Sequence, residues 1–368
     1  MQRIHSIDYF RGLMALAVLV YHYVSWSVGV PESETILGRL GIYAVSSFYV
    51  VSGISLYLVY RDSHWGWSGT VSFSIKRFLR LAPLYWIATV LTIFYYALNA
   101  GAFSPDWSKY LANFTLAFGL YSPQDYIPVG GWSIGNEVAF YVFFPFLILS
   151  LAKVSFFMLT MAVVFALYIY CSFFMLSSDA TLAEQWGLYI LPYNQAFLFA
   201  SGVAVGWLKE RFSSFGKTSA LGLLIASVLV FVFYPVSGNQ INIVTGLERL
   251  VFTACCVSAS FALLYHPSVK LTWVARPLGF LGDTSYTIYM LHGVSGLFAI
   301  KYVAPWLGVD TPTEKLIFLL IGVLPFVLLV SSLIYRVIEL RFIRLGKKIT
   351  RKIDNQIGRK GPVSPGYF

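Results

Sequence analysis

Long apolar runs separated by short polar segments extend from residue 9 to residue 336. A helix needs about 20 residues to cross a hydrocarbon core about 30 Å thick. Ten runs reach or approach that length, which predicts an all-α, polytopic membrane protein with about ten transmembrane helices. The predicted spans are residues 9–29, 40–60, 82–100, 135–152, 154–176, 189–208, 219–236, 248–265, 283–301 and 315–336.

The fourth predicted span is short and its boundary near Lys153 is tight, so nine spans are an alternative to ten. Residues 107–121 are apolar but too short to cross the bilayer, and they could form a re-entrant or interfacial helix. The chain shows no internal repeat. It divides into a membrane-embedded domain, residues 1–336, and a basic cytoplasmic tail, residues 337–368.

The composition supports the membrane assignment. Hydrophobic residues make up 58% of the 368 residues and charged residues 11%, against about 25% charged residues in soluble globular domains. A water-soluble protein of this size could not bury so much apolar surface. The net charge is +10, but most basic residues flank apolar runs, so we predict no nucleic-acid partner.

The distribution of Lys and Arg predicts the orientation, because cytoplasmic loops are enriched in these residues. With the N-terminus in the cytoplasm, the external segments hold few cations and most acidic loop residues. An even number of spans with both termini inside is therefore self-consistent and favours ten spans over nine. The external basic residues are then Arg39, Lys109, Arg249, Lys301 and Lys315.

The first predicted span contains ionisable residues that are costly in lipid and therefore suggest function. Arg11 and His22 are eleven residues apart, which places both on one helix face about 16 Å apart along the axis. Asp8 is placed to pair with Arg11 at the helix entrance. The structural alternative is a snorkelling Arg11 and a hydrogen-bonded packing role for His22.

Arg77 and Arg80 lie one helical turn apart before the third predicted span. Guanidinium groups bind phosphate oxygens in pairs, so two of them on one face could clamp a phosphorylated ligand. Ordinary positive flanking of a membrane helix explains the same pair, and for this feature alone it is the better explanation.

Two further segments place polar side chains on one helix face. Ser133, Glu137 and Tyr141 follow Trp132 with spacing i, i+4, i+8. The structural alternative is a solvated cap residue at a helix start, but it is the weaker explanation of Glu137 because apolar residues follow at once.

The ninth predicted span carries the second of these segments. Ser285, Tyr289 and His292 have spacing i, i+4, i+7, and His292 lies about halfway along the span. Asp283 or Thr284 is expected to cap the helix N-terminus. Packing alone is a poor explanation for a second histidine in the middle of the membrane.

The sequence carries no recognisable metal or nucleotide motif. It has no Cys/His cluster, no HExxH, no Walker A loop and no GxGxxG, so no metal site and no permanently bound cofactor are predicted. Cys171, Cys255 and Cys256 lie in apolar runs, and we interpret them as small buried hydrophobic residues.

In these four polar segments the sequence resembles the acyltransferase type 3 family, the bacterial membrane O-acyltransferases that modify surface polysaccharides. The family's Arg-x10-His signature matches Arg11 and His22, and its Arg-x-x-Arg signature matches Arg77 and Arg80. Its Trp-Ser-x-x-x-Glu element resembles Trp132, Ser133 and Glu137. Its late Ser-Tyr-x-x-Tyr-x-x-His element resembles Ser285, Tyr286, Tyr289 and His292.

The four motifs occur in the family's order over about residues 5–340. Tyr9, Phe10 and Met14 replace the leucines usual around the first motif, but no polar motif residue is changed. The chain lacks the fused hydrolase-like domain of some relatives and therefore resembles the stand-alone branch. The resemblance implies a multi-pass protein of the bacterial inner membrane.

The resemblance also implies an acyl-CoA donor, usually acetyl-CoA, as co-substrate and a carbohydrate or lipid-linked glycan as acceptor. We expect His22 to act as general base or transient acyl carrier, with Glu137 orienting it, and the three arginines to bind the donor. The expected donor-binding residues are Arg11, Arg77 and Arg80. The expected substrate-positioning residues are Asp8, Trp132, Ser133, Tyr141, Ser285, Tyr289 and His292.

Other protein classes remain as alternatives. A membrane O-acyltransferase of the MBOAT type also uses an intramembrane histidine, but the N-terminal Arg-x10-His pattern speaks against it. A secondary transporter with a His/Glu proton relay would usually show internal repeats. A non-enzymatic sensor or assembly subunit is the third alternative. The acceptor, the acyl length and the oligomeric state are left open.

Overall fold

The computed structural model describes residues 3–99, 105–212, 214–266, 269 and 271–356, and in these ranges every regular element is a helix. The predicted all-α class is therefore confirmed. The long helices are α1 (His5–Ser27), α2 (Ile36–Tyr60), α3 (Trp67–Asn99), α4 (Gly131–Ser150), α5 (Val154–Met175), α6 (Pro192–Arg211), α7 (Lys217–Phe233), α8 (Gly246–Leu263), α9 (Thr272–Phe298) and α10 (Pro312–Gln356).

One long helix overlies each predicted span. By length and composition, seven helices in the described part of the chain could cross a membrane. Helices α1 and α9, which carry predicted site residues, and the shorter apolar α7 are outside these seven. The number of ten spans and the location of both termini in the cytoplasm remain predictions. The seven are α2, α3, α4, α5, the helical stretch that includes α6, α8 and α10.

The apolar stretch at 107–121 folds into two short helices, Trp107–Phe114 and Phe118–Tyr121. The side chain of Asp106 caps the first by accepting a hydrogen bond from the Lys109 amide at 3.0 Å. Neither helix is long enough to cross a bilayer, in agreement with the sequence prediction.

Burial distinguishes central from peripheral helices. In the apolar window of α2, 72% of residues are buried inside the protein, whereas the values are 28% for α5 and 22% for α10. The exposed faces of α5, α7 and α10 consist of large apolar side chains, which suit contact with lipid. Helix α2 therefore forms the centre of the bundle.

The closest approach of α1 to α9 depends on two glycines. A Cβ atom at Gly12 would lie 2.6 Å from the backbone nitrogen of Gly282, and one at Gly282 would lie 2.5 Å from the carbonyl oxygen of Asp8. Small residues allow membrane helices to pack backbone to backbone. This approach holds the face of α1 that carries Arg11 and His22 against the face of α9 that carries Ser285 and His292.

The expected cap of α9 is wrong. The helix begins at Thr272, well before Asp283, and continues through Pro277. The Thr284 hydroxyl donates to the Phe280 carbonyl within the helix at 2.7 Å instead of capping an end. The predicted span 283–301 covers only the second part of this helix, and the first turns, from Thr272 to Gly282, lie outside the prediction.

The last helix, α10, contains two π-helical turns, Leu319–Val323 and Tyr335–Glu339, and its final α-helical segment is Leu340–Gln356. That segment packs along α3, where Gly346 lies against Leu79. The predicted boundary at residue 336 falls within this helix, and the division into domain and tail remains a prediction. Residues 357–368 lie outside the described part.

Candidate functional site

Helices α1, α2, α3, α4 and α9 line a partly open cavity with about 100 Å³ of space for the centres of water-sized molecules. The cavity brings together eight of the predicted site residues from four separate segments. These lining residues are Arg11, Arg77, Arg80, Ser133, Glu137, Tyr141, Ser285 and Tyr289.

The cations in this cavity have different partners. In the described structure no carboxylate forms a salt bridge with Arg11 or Arg77, although Glu137 lies close enough to both to act on their charges. The Arg77 guanidinium lies over the ring of Tyr60, 5.3 Å from its centroid, and its buried Nε has no hydrogen-bond partner among the described residues. Arg80 forms a salt bridge with Glu339 at 3.2 Å. The site therefore presents cations that an anionic ligand could neutralise.

Glu137 belongs to the arginine end of the cavity. Its Oε1 accepts hydrogen bonds from Ser52 at 2.9 Å and from Tyr141 at 2.6 Å. The i, i+4 pairing of Glu137 with Tyr141 agrees with the shared face predicted from the sequence. No hydrogen bond joins Glu137 to His22 in the described structure, so the expected orienting contact is not present.

His22 and His292 form a stacked pair. Their ring centroids are 5.1 Å apart, and the Trp26 ring lies 5.1 Å from that of His22 and 6.4 Å from that of His292. His292 is fully buried, whereas His22 is partly exposed. Neither ring lines the arginine cavity.

One hydrogen bond defines the tautomer of a neutral His292. Its Nδ1 lies 2.6 Å from the Tyr289 carbonyl oxygen, which can only accept, so Nδ1 carries the proton. The buried Nε2 then offers a lone pair, and it has no hydrogen-bond partner among the described residues. Unpartnered buried polar atoms are rare, so this nitrogen is a candidate acceptor for a substrate proton.

Tyr289 separates the histidine pair from the arginine cavity. Its ring lies 5.8 Å from that of His292, and its hydroxyl contacts the Ser133 Oγ at 2.8 Å and donates to the Gly130 carbonyl at 3.1 Å. Gly130 has a φ of 79°, and a Cβ there would lie 2.9 Å from the Tyr289 hydroxyl. Glycine is therefore required before α4 for this contact to form.

Asp8 pairs with a different partner from the one expected. Arg3 donates from Nε to Asp8 and from Nη2 to Asp283, each at 2.5 Å, which ties the start of α1 to α9. The expected pair between Asp8 and Arg11 is wrong. Burial would lower the pKa of Arg3, but its hydrogen bonds to Asp283 and Asp8 raise that pKa above its ordinary value.

Trp132 lies outside the cavity lining, although it begins the same motif as Ser133. It is 6% exposed, and its ring packs edge-on against Trp186 at 5.5 Å. In this position Trp132 supports the start of α4 and does not face the cavity.

Sequence reasoning missed Arg3 and Glu339 as members of the site. Arg3 lies before the first predicted span, where a basic residue is ordinary flanking charge. Glu339 was assigned to the basic tail, although it is 3% exposed. The available signal was a single carboxylate between Ile338 and Leu340 at the end of the last apolar run.

Within the described residues, no three His, Cys, Asp or Glu side chains come together as metal ligands would. The polar groups instead converge on a cavity between apolar helices, which defines a helical membrane protein with an internal site for a charged ligand.

The comparisons identify the family. Residues 4–336 match the family model described as "Acyltransferase domain", and the chain belongs to this family, the acyltransferases of type 3. The protein is therefore a membrane acyltransferase. Comparisons with curated proteins and with solved structures gave no match.

Proposed function

We propose that the protein transfers an acetyl group from cytoplasmic acetyl-CoA to a hydroxyl group of a carbohydrate or glycolipid acceptor at the bacterial inner membrane. The supporting observation is the cavity that is lined by Arg11, Arg77 and Arg80 and that ends beside the stacked histidines. Coenzyme A carries several phosphates, and guanidinium groups are their preferred partners in proteins.

The proposed orientation of the protein in the membrane follows from the same arginine charges. The arginine end of the bundle faces the cytoplasm in this proposal, where acyl-CoA is available and where basic loops are enriched. The thioester end of the donor would extend along α1 from Arg11 toward His22, past Tyr289 and Ser133. The Tyr289 ring lies between the cavity and the histidines, so we infer that it moves aside when the donor enters. This movement would break the contacts of its hydroxyl with Ser133 and Gly130.

His22 is the proposed general base or transient acyl carrier. As base, its imidazole takes the proton of the acceptor hydroxyl while the hydroxyl oxygen bonds to the acetyl carbonyl carbon. The carbon–sulfur bond then breaks, and the proton passes to the departing thiolate to give free coenzyme A. His292, stacked on His22, and Ser285, in the cavity wall, are the proposed positioning residues for substrate.

Glu137 was expected to orient His22, but its hydrogen bonds place it with Ser52 and Tyr141 among the arginines. We propose instead that it balances the cationic lining before the donor binds. A carboxylate within this group reduces the cost of holding several guanidinium charges close together in a low-dielectric interior.

The direct test uses purified protein, radiolabelled acetyl-CoA and candidate glycan acceptors. Acceptor-dependent release of free coenzyme A, with label transferred to the glycan, is the expected result. Comparing surface-glycan acetylation in strains with and without the protein would identify the acceptor. Absence of acetyl-CoA binding to the folded protein would refute the proposed donor.

A further inference from the structure

Glu339 is a buried carboxylate that the proposed reaction does not yet use. It lies at the end of the π-helical turn Tyr335–Glu339 in α10 and is 3% exposed. Turns of this kind within α-helices are frequent at functional sites. Helix α10 is otherwise the most lipid-exposed of the long apolar helices, so a buried acid there requires an explanation.

Each oxygen of Glu339 contacts a different helix. Oε1 lies 3.2 Å from Nη1 of Arg80 on α3, and Oε2 accepts a hydrogen bond from Thr287 on α9 at 2.8 Å. Thr287 is fully buried between the cavity residues Ser285 and Tyr289. The hydrogen bond from Thr287 fixes one oxygen of the carboxylate, whereas the other oxygen lies within ion-pair distance of Arg80 Nη1 without hydrogen-bond geometry between these two atoms.

Glu339 lies beside the cavity and is not exposed to it. Arg80 lines the cavity together with Arg11 and Arg77, whereas Glu339 is not part of the lining. The guanidinium of Arg80 is only partly exposed, with 14% of its side-chain surface accessible. A planar guanidinium must be held in one orientation to bind an anion in a defined geometry.

We propose that Glu339 is a positioning residue that holds the Arg80 guanidinium in the orientation that binds an anionic group of the donor. This inference rests on the proposed function. Thr287 completes the arrangement by fixing the carboxylate. The π-helical turn directs Glu339 inward from a helix whose other side chains mostly face outward.

A purely electrostatic role and a positioning role of Glu339 predict opposite effects on donor binding. Removing the negative charge of Glu339 makes the cavity more positive, so a purely electrostatic role predicts a lower donor KM for Glu339→Gln. A positioning role predicts a higher one, because Arg80 loses its orienting partner. We expect roughly a tenfold increase in donor KM with kcat changed by less than about threefold.

Two further variants keep the test informative if Glu339→Gln folds poorly. Glu339→Asp retains the charge with a shorter side chain and should restore part of the affinity for acetyl-CoA. Thr287→Val keeps Glu339 intact and removes the second contact, so a smaller increase in donor KM is expected. The matched control is Glu210→Gln, because Glu210 also pairs with an arginine, Arg61, but neither residue lines the cavity.

The measurements are acetyl-CoA binding by calorimetry, the steady-state donor KM and kcat, and thermal unfolding in detergent. A variant Glu339→Gln with unchanged or lower donor KM would overturn the positioning role, whether or not its stability falls. Wild-type protein that binds no acetyl-CoA would overturn the proposed donor as well. Wild-type binding together with a normal Glu339→Gln variant would overturn the role of Glu339 alone.

Discussion

The imidazole ring of His22 on α1 stacks on that of His292 on α9, with centroids 5.1 Å apart. The two residues come from opposite ends of the sequence, and both belong to motifs shared with the family. Their contact places two candidate proton acceptors side by side, next to Tyr289 at the end of the arginine cavity. A base for acyl transfer would be suitably placed here.

Replacing His22 by Ala should reduce turnover by about 10²–10⁴-fold, the usual contribution of a general base. The measurement is acceptor-dependent release of coenzyme A by protein reconstituted in detergent. His64→Ala is the matched control, because His64 is exposed and lies outside the site. Normal turnover of His22→Ala would end the assignment of His22 as base or acyl carrier.

Replacing Arg77 by Ala should raise the donor KM by roughly tenfold or more, because a charge-assisted contact to phosphate is lost. The donor KM is measured with acetyl-CoA at saturating acceptor. Arg336→Ala is the control, since Arg336 is exposed and does not line the cavity. If the donor KM of Arg77→Ala matched the wild type, Arg77 would serve only membrane orientation.

Replacing Gly12 by Ala should destabilise the protein by about 1–3 kcal/mol, the usual effect of overpacking. The new Cβ would meet the backbone of Gly282 at 2.6 Å, and backbone cannot rotate away as a side chain can. Thermal unfolding in detergent measures the change, and activity should fall because α1 and α9 separate.

The control for Gly12 is Gly222→Ala on α7, where a Cβ meets no atom within 4 Å. Alanine favours a helix over glycine, so this variant should be as stable as the wild type or slightly more stable. Equal stability of the Gly12 and Gly222 variants would show that the approach of α1 to α9 tolerates a side chain.

The start of α10 should weaken in acid. Backbone and side-chain hydrogen bonds from Thr311, then the Asp310 amide, lower the pKa of Glu314 in the capping box. A carboxyl whose pKa is lower in the folded than in the unfolded state stabilises fully above its unfolded pKa, about 4.3 for Glu. That stabilisation is lost as pH falls through the lower, folded pKa.

Hydrogen-exchange protection factors of the amides at 311–316, measured between pH 6 and pH 3, test this dependence. The wild type should lose protection relative to Glu314→Gln as the solution is acidified, because the variant has no charge to lose. A constant difference between the two proteins over the whole pH range would contradict the prediction.

The sequence by itself determined the helical membrane architecture and identified eight of the residues that line the cavity. A run of about 20 apolar residues in lipid forms a helix, because its backbone N–H and C=O groups must hydrogen-bond to one another within the segment. Helical periodicity also placed Glu137 with Tyr141 on one face, as the hydrogen bond between them shows. Both inferences depend only on local geometry, which neighbouring residues specify.

Only the tertiary structure decided which of these faces meet. The pairing of Arg3 with Asp8 and Asp283, the salt bridge of Arg80 with Glu339 and the stacking of the two histidines join distant segments. Apolar helix surfaces in lipid resemble one another, so sequence pattern does not specify which helices become neighbours. Close approach at Gly12 and Gly282, and the π-helical turn before Leu340, determine these pairings through shape.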